Sequence, residues 1–99
     1  MSQKRLYKRA FRLNEEIIKL QEELHSIGEQ LSVLEDEAQQ AHTRALVSEN
    51  PQDKREDRAS TGVFNSLLRH REITIERLQA AKFAHLSLME KIDSTSTGF

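Results

Sequence analysis

Along the first half of this chain, apolar residues recur at alternating intervals of four and three positions. This heptad spacing keeps one apolar stripe on a single side of a helix and is typical of helices that pack lengthwise against another helix. The pattern predicts one long helix over residues 3–48. The stripe, which we call the first seam, consists of Leu6, Ala10, Leu13, Ile17, Leu20, Leu24, Ile27, Leu31, Leu34, Ala38, Ala41 and Ala45.

The helical pattern is interrupted at the only proline of the chain, Pro51. A residue that precedes proline is driven out of the helical region, so the first helix should stop just before this point. Asn50 is a favourable N-cap, proline suits the first helical position, and Asp53 places an acid in the first turn. These signals predict a turn at 49–50 and a second helix over 51–92. The alternative is a charged loop over 50–62.

A register argument favours the tight turn over the loop. If the chain reverses near Asn50, residues that face each other across the hairpin have numbers that add up to about 99. Apolar residues then meet apolar residues along most of the two helices. The predicted pairs are Leu31 with Leu68, Leu24 with Ile75, Leu20 with Leu78, Leu13 with Leu86, and Ala10 with Met89.

The second helix carries a less regular apolar stripe than the first. Arg71, Lys82 and His85 interrupt it, although their stems can cover apolar surface while their heads reach water. Residues 93–99 show no periodicity and predict a frayed tail. The stripe consists of Phe64, Leu67, Leu68, Ile75, Leu78, Ala81, Leu86, Met89 and Ile92.

Composition favours a single helical domain over residues 1–99. Apolar residues make up 36% of the chain and charged residues 31%, with only one proline and three glycines, whereas a sheet protein needs frequent turns. The chain contains no cysteine, which fits a reducing compartment such as the cytoplasm, and no apolar run long enough to span a bilayer. The predicted fold class is all-α: an antiparallel two-helix coiled-coil hairpin that assembles into a helical bundle.

Several large apolar residues lie outside the two stripes. Leaving a Phe or Ile in water forfeits about 1.5–3 kcal/mol per side chain, which is a large share of the stability of a small domain. We therefore expect these residues to bind a second copy of the chain or a larger protein; the alternative is scattered surface hydrophobes, which are common. The predicted protein-binding residues are Phe11, Ile18, Ile73, Phe83 and Leu88.

The first thirteen residues contain five basic side chains and no acid, although the formal net charge of the whole chain is −1. A cationic helix of this kind suits phosphates, anionic lipid or an acidic protein patch. The alternative is a solvated helix start, since the first seam continues through it, and a nucleic-acid partner is the less favoured hypothesis. The candidate polyanion-binding residues are Lys4, Arg5, Lys8, Arg9 and Arg12.

The predicted hairpin tip is a second place where charge accumulates. Asp53, Glu56 and Asp57 stand there among basic residues, and a rigid coiled coil can deliver such groups into the channel of a large machine. In outline the hairpin resembles the coiled-coil hairpins of secondary-channel transcription factors. The resemblance is one of shape, because their tip motif is not found in this sequence. The alternative is a solvated, charged turn.

Candidate chemistry is sparse. Glu22 and His25 have the spacing that places a carboxylate and an imidazole on one helical face, as in metal-binding bundles, but those sites need a second such motif. No phosphate-binding loop or nucleophile motif is present. We therefore expect no catalytic residue, metal or cofactor. The sequence favours a non-enzymatic structural or adaptor module, with a small regulator of a nucleic-acid machine such as RNA polymerase as the alternative.

Overall fold

The computed structural model describes residues 2–97 and contains two helices, α1 (Gln3–Val47) and α2 (Pro51–Thr97), with no strand in that range. The helices pack against each other as a helical hairpin, so the predicted all-α hairpin is confirmed. Residues 51–62 are helical, which excludes the charged loop at that position. The connection is only residues 48–50.

Side chains of the connection satisfy the backbone at the start of α2. The Asn50 side-chain oxygen accepts a hydrogen bond from the backbone N–H of Gln52 at 3.0 Å, which is the N-cap geometry that the sequence predicts. Ser48 in turn accepts from the backbone N–H of Asn50 at 3.0 Å. The backbone N–H of Asp53 donates to the carbonyl of Asn50 at 3.1 Å. These bonds fix the chain reversal within three residues.

All twelve residues of the first seam are buried or half-buried, as the heptad spacing predicts. Ala41 and Ile27 are the most deeply buried of them. Residues between seam positions are exposed along almost the whole helix. The 4-3 spacing therefore identifies the inner side of α1 along its full length.

The inner side of α2 has the same heptad spacing, but polar residues occupy many of its positions. Thr74 is only 1% exposed and His85 is half-buried, while Arg71 stays exposed. We call this stripe the second seam. It consists of Asp53, Asp57, Ser60, Phe64, Leu67, Arg71, Thr74, Leu78, Ala81, His85, Leu88 and Ile92.

Two sequence predictions for α2 are wrong at this point. The sequence predicts Leu88 on the outside, but it is 6% exposed, and it predicts Leu86 on the inside, but it is 59% exposed. The sequence stripe follows apolar residues, whereas the true seam passes through His85 and Thr74. As a result, the sequence assigns the inner position to Leu86 instead of Leu88, which is an error of about half a helical turn.

The chain divides into two compact units, of which the first contains residues 2–23 together with 74–97 in the part that the structure describes. We call it the end unit. Leu6 and Ala10 of α1 form a buried cluster with Leu88 and Ile92 of α2, and Leu13 and Met89 pack against it. These contacts agree with the predicted register to within about one residue.

The second compact unit, which we call the turn unit, is Leu24–Ile73. Its buried residues, Ile27, Leu31 and Ala41, all belong to α1. Polar contacts join the helices near the turn: His42 Nδ1 lies 3.1 Å from Asp57 Oδ2, and Arg44 Nη2 lies 4.0 Å from Glu56 Oε2.

The α2 helix continues beyond residue 92, so the prediction of a frayed tail is wrong for residues 93–97; residues 98–99 lie outside the described part. Ile92 is 3% exposed and anchors the helix at this point. The Thr95 hydroxyl donates to the carbonyl of Ile92 at 2.9 Å. Packing of this kind overrides the weak helix propensity of a Ser- and Thr-rich segment.

Candidate protein-binding site

Large apolar side chains remain exposed on the outer faces of both helices of the end unit. Phe83 is 73% exposed, Phe11 is 64% exposed, and Tyr7 and Ile18 are about half-exposed. Single exposed hydrophobes are ordinary on protein surfaces, so their arrangement decides whether they form a site.

On α1, three of these residues lie on one side of the first seam. Tyr7 and Phe11 are one turn apart, and Ile18 follows two turns after Phe11. At 3.6 residues per turn, all three point to the same flank of the helix, about a quarter to a third of a turn away from the seam. Asn14 occupies the place between Phe11 and Ile18.

On α2, a matching row borders the second seam. Ile75 and Met89 are half-buried beside the seam, Leu86 is exposed next to Met89, and Phe83 precedes Leu86 by one turn. The row runs from the seam outward to the back of the helix. Met89 packs against the buried cluster of the end unit, which ties this row to the core.

The two rows lie on the same side of the end unit. On the opposite side, one groove is lined by Arg9 and Leu13 from α1 and by Ala84, Leu88 and Lys91 from α2. The residues flanking both seams on that side therefore meet each other, and in a two-helix pair the remaining flanks must meet on the other side. We call the resulting surface the apolar flank; its members are Tyr7, Phe11, Ile18, Ile75, Phe83, Leu86 and Met89.

The predicted protein-binding residues fall into three groups. Phe11, Ile18 and Phe83 belong to the apolar flank, and Ile73 is 48% exposed but belongs to the turn unit. Leu88 is buried between the helices and cannot form an external contact. That assignment is wrong because the second seam passes through Leu88.

Sequence reasoning misses Tyr7 and Leu86 as members of the outer surface. The predicted inner stripe includes Leu86, and Tyr7 stands next to a seam residue in the sequence. A strict heptad count from Ile92 back through Leu88 would have placed Leu86 outside.

The predicted polyanion-binding residues are all exposed and do not share one side of α1. Arg5, Arg9 and Arg12 flank the first seam on the side away from the apolar flank, and Lys8 lies at the back of the helix. Lys4 lies nearer the row of Phe11. We call the row of Arg5, Arg9 and Arg12, together with Lys91 of α2, the cationic flank.

The acidic residues of the predicted tip are partly engaged within the hairpin. Asp53 and Asp57 occupy second-seam positions and are half-buried, and Asp57 contacts His42. Glu56 lies 4.0 Å from Arg44. The side chains that the sequence predicts to project from the tip therefore face α1 in large part.

No group of three or more His, Cys, Asp or Glu side chains within residues 2–97 is arranged to hold a metal ion. His25 Nε2 lies 2.9 Å from Glu29 Oε1, and both side chains are largely exposed. In the described part of the chain, neither helix has a segment that is long and apolar enough to cross a bilayer.

The chain matches no known family model, no curated protein and no solved structure. Functional inference therefore depends on the geometry of the two flanks of the end unit.

Proposed function

We propose that the protein is a non-enzymatic structural or adaptor module that self-associates through the apolar flank. The observation that supports this most is the placement of Phe11 and Leu86, both more than half-exposed, on one side of a well-packed helical pair. Each such side chain contributes about 1.5–3 kcal/mol when it is fully buried. A second helical pair laid over this side yields a four-helix arrangement, which is a common way to bury such surface.

The row on α1 is complementary to an inverted copy of itself. A two-fold axis beside Asn14 places Phe11 of one copy against Ile18 of the second, and Tyr7 beside Gln21 and Glu22. The same axis places the Lys8 ammonium near the Glu22 carboxylate of the second copy, at the edge of the apolar contact. The central pair of Phe11 and Ile18 is apolar on both sides and opposite charges meet at its edge, which favours a second copy as the occupant.

The row on α2 fits the same axis. Ala10 packs with Leu88, so one turn further along α1 the level of Asn14 corresponds to about residue 84 of α2. Leu86 lies about two residues from that level, so the axis leaves the two copies of Leu86 offset by about 6 Å along the helix, within one shared apolar patch. Both rows thus support one symmetric arrangement.

Sedimentation velocity on the full chain tests the proposal. Wild type should sediment as a dimer, whereas Phe11→Asp combined with Leu86→Asp should sediment as a monomer with unchanged helical circular dichroism. The matched control is Val33→Asp combined with Val63→Asp, which replaces two exposed apolar residues of the turn unit and should leave the dimer intact. A monomeric wild type, or a dimer that survives the first pair of changes, would refute self-association through this flank.

A charge swap tests the two-fold axis separately. Lys8→Glu alone should weaken the dimer, because the introduced carboxylate would lie near Glu22 of the second copy and repel it. Adding Glu22→Lys restores opposite charges and should restore dimerisation, since exposed pairs of this kind fix orientation more than they add affinity. Dimerisation that is indifferent to both changes would reject this axis while leaving the apolar flank as the interface.

A further inference from the structure

The groove on the far side of the end unit combines basic side chains with open space. Arg9 of α1 and Lys91 of α2 both line it, and the side chains of Leu13 and Leu88 lie beneath. On the α2 side the other lining residues are Ala84 and Ser87, which are small and leave the groove open. The Ser87 hydroxyl adds a hydrogen-bond donor to the lining of the groove.

A row of arginines extends this groove along α1. Arg5 lies four residues before Arg9, and Arg12 lies three residues after it, so the row covers about 10 Å along the helix axis. All three are exposed, and the contacts His25–Glu29, His42–Asp57 and Arg44–Glu56 involve none of them, nor Lys8 or Lys91. The row therefore presents exposed guanidinium groups to an anion in solution.

Arg9 and Lys91 bring like charges to one groove without an acid between them. Like charges at close range repel each other, and an anion placed between them removes that repulsion. Guanidinium groups bind phosphate oxygens in a bidentate manner, and a lysine binds them as a point charge. Repeated phosphates suit the row better than a single anion, because one nucleic-acid strand offers a phosphate about every 3.4 Å along a duplex.

We propose that the cationic flank binds the phosphate backbone of nucleic acid, without reading base sequence. Arg9, Lys91 and Ser87 hold one phosphate in the groove, and Arg5 and Arg12 contact the phosphates on either side. The proposal does not depend on self-association, since all five residues belong to one end unit.

The distribution of charge confines this binding to the end unit. The two segments of the end unit contain nine Lys and Arg residues against seven Asp and Glu, whereas the turn unit contains six against nine. A phosphate backbone is therefore attracted to the end unit and repelled from the turn unit.

An anionic membrane is a less suitable partner for the same cations. A helix that binds at a membrane surface inserts an apolar face while its cations stay at the headgroup level. Here the apolar flank and the cationic flank lie on opposite sides of the end unit, so insertion of Phe11 would hold Arg9 away from the lipid. On the cationic side, Ala84 and Ser87 offer no large side chain for insertion.

The test measures binding of the full chain to a fluorescently labelled DNA duplex of about 20 base pairs and to a single-stranded RNA of the same length, between about 50 and 200 mM salt. Wild type should bind at least one probe, with affinity falling steeply as salt increases. Arg9→Gln combined with Lys91→Gln should lower affinity at least about tenfold and reduce the slope of log affinity against log salt by about 2.

The matched control is Lys54→Gln combined with Arg58→Gln, which removes the same charge from exposed positions of the turn unit. It should leave affinity within about twofold and the salt slope unchanged. Equal losses in the two double variants would overturn the site, as would the absence of binding to both probes. Binding of the full chain to vesicles containing phosphatidylserine is measured as well. Binding to the vesicles but to neither nucleic acid would also overturn the proposal. Circular dichroism should show that all variants remain helical.

Discussion

The end unit and the turn unit use the same heptad geometry with different side chains. In the end unit both helices contribute buried apolar residues, such as Leu6 from α1 and Ile92 from α2. In the turn unit the buried residues come from α1, while α2 contributes Asp53, Asp57 and Ser60 at seam positions.

This difference shows that the spacing of a seam and the composition of a seam have separate effects. Spacing directs a side chain inward whatever its chemistry, as Asp57 shows by reaching His42 from a seam position. Composition determines how much apolar surface is buried and thus how strongly each unit is stabilised. We expect the end unit to resist local opening more than the turn unit does.

The largest expected effect comes from the buried cluster of the end unit. Leu88→Ala should lower the free energy of unfolding by about 2–5 kcal/mol, because it leaves a cavity beside Leu6, Ala10 and Ile92. Urea denaturation monitored by circular dichroism measures the loss.

Leu86→Ala is the matched control for Leu88→Ala, since the same side chain is truncated two residues away on the exposed side. It should cost less than about 0.5 kcal/mol. Both variants should be compared in a Phe11→Asp background, which weakens self-association, because loss of self-association would itself lower the apparent stability. Equal costs for the two leucines would contradict the observed seam of α2.

A smaller effect is expected at the caps that start the two helices. Asn50→Ala removes the side-chain acceptor of the Gln52 N–H and should cost about 1 kcal/mol. Ser2→Ala should cost less, because its bond to the Arg5 N–H is longer, at 3.4 Å. Urea denaturation compares them, and a costlier Ser2→Ala would reverse the expected order.

The smallest effect concerns the glycines inside the helices of the turn unit. A Cβ added at Gly62 or Gly28 meets no atom within 4 Å beyond the adjacent residues and the nearby backbone of its own helix, so replacement by Ala has no steric cost. Each change should raise stability by about 0.5–1 kcal/mol through helix propensity. Hydrogen exchange should slow most for amides of the turn unit. The reverse change at an exposed position, Ala80→Gly, should lower stability by a similar amount; no response to Gly62→Ala would argue against the propensity explanation.

Much of the fold could be predicted from sequence because local signals agree. The first seam is apolar at every heptad position, and Asn50 with Pro51 signals a helix start that the structure confirms. The second seam could not be assigned correctly, because Thr74 and His85 interrupt the apolar pattern. Leu86, which is apolar but exposed, takes the place of Leu88 in the predicted stripe. Polar residues at inner positions are recognised only once their partners across the hairpin are known.

The outer surface is harder to predict than the seams. Phe11 and Ile18 can be identified because α1 has an unambiguous inner side, from which its outer side follows. The same reasoning fails for Leu88, whose side of α2 depends on the second seam. The groove between Arg9 and Lys91 has no signal in the sequence, since the two residues are 82 positions apart and meet only through the chain reversal.

The placement of the apolar and cationic flanks on opposite sides of the end unit has a consequence for valency. In a dimer joined through the apolar flanks, the cationic flank of each copy stays exposed. The two cationic flanks then face in opposite directions. Such a pair can tether two separate duplexes, or two distant stretches of one, whereas a single copy occupies one stretch. Tethering raises the effective concentration of the second contact, so breaking the pair would abolish cross-linking of duplexes long before it abolished simple attachment.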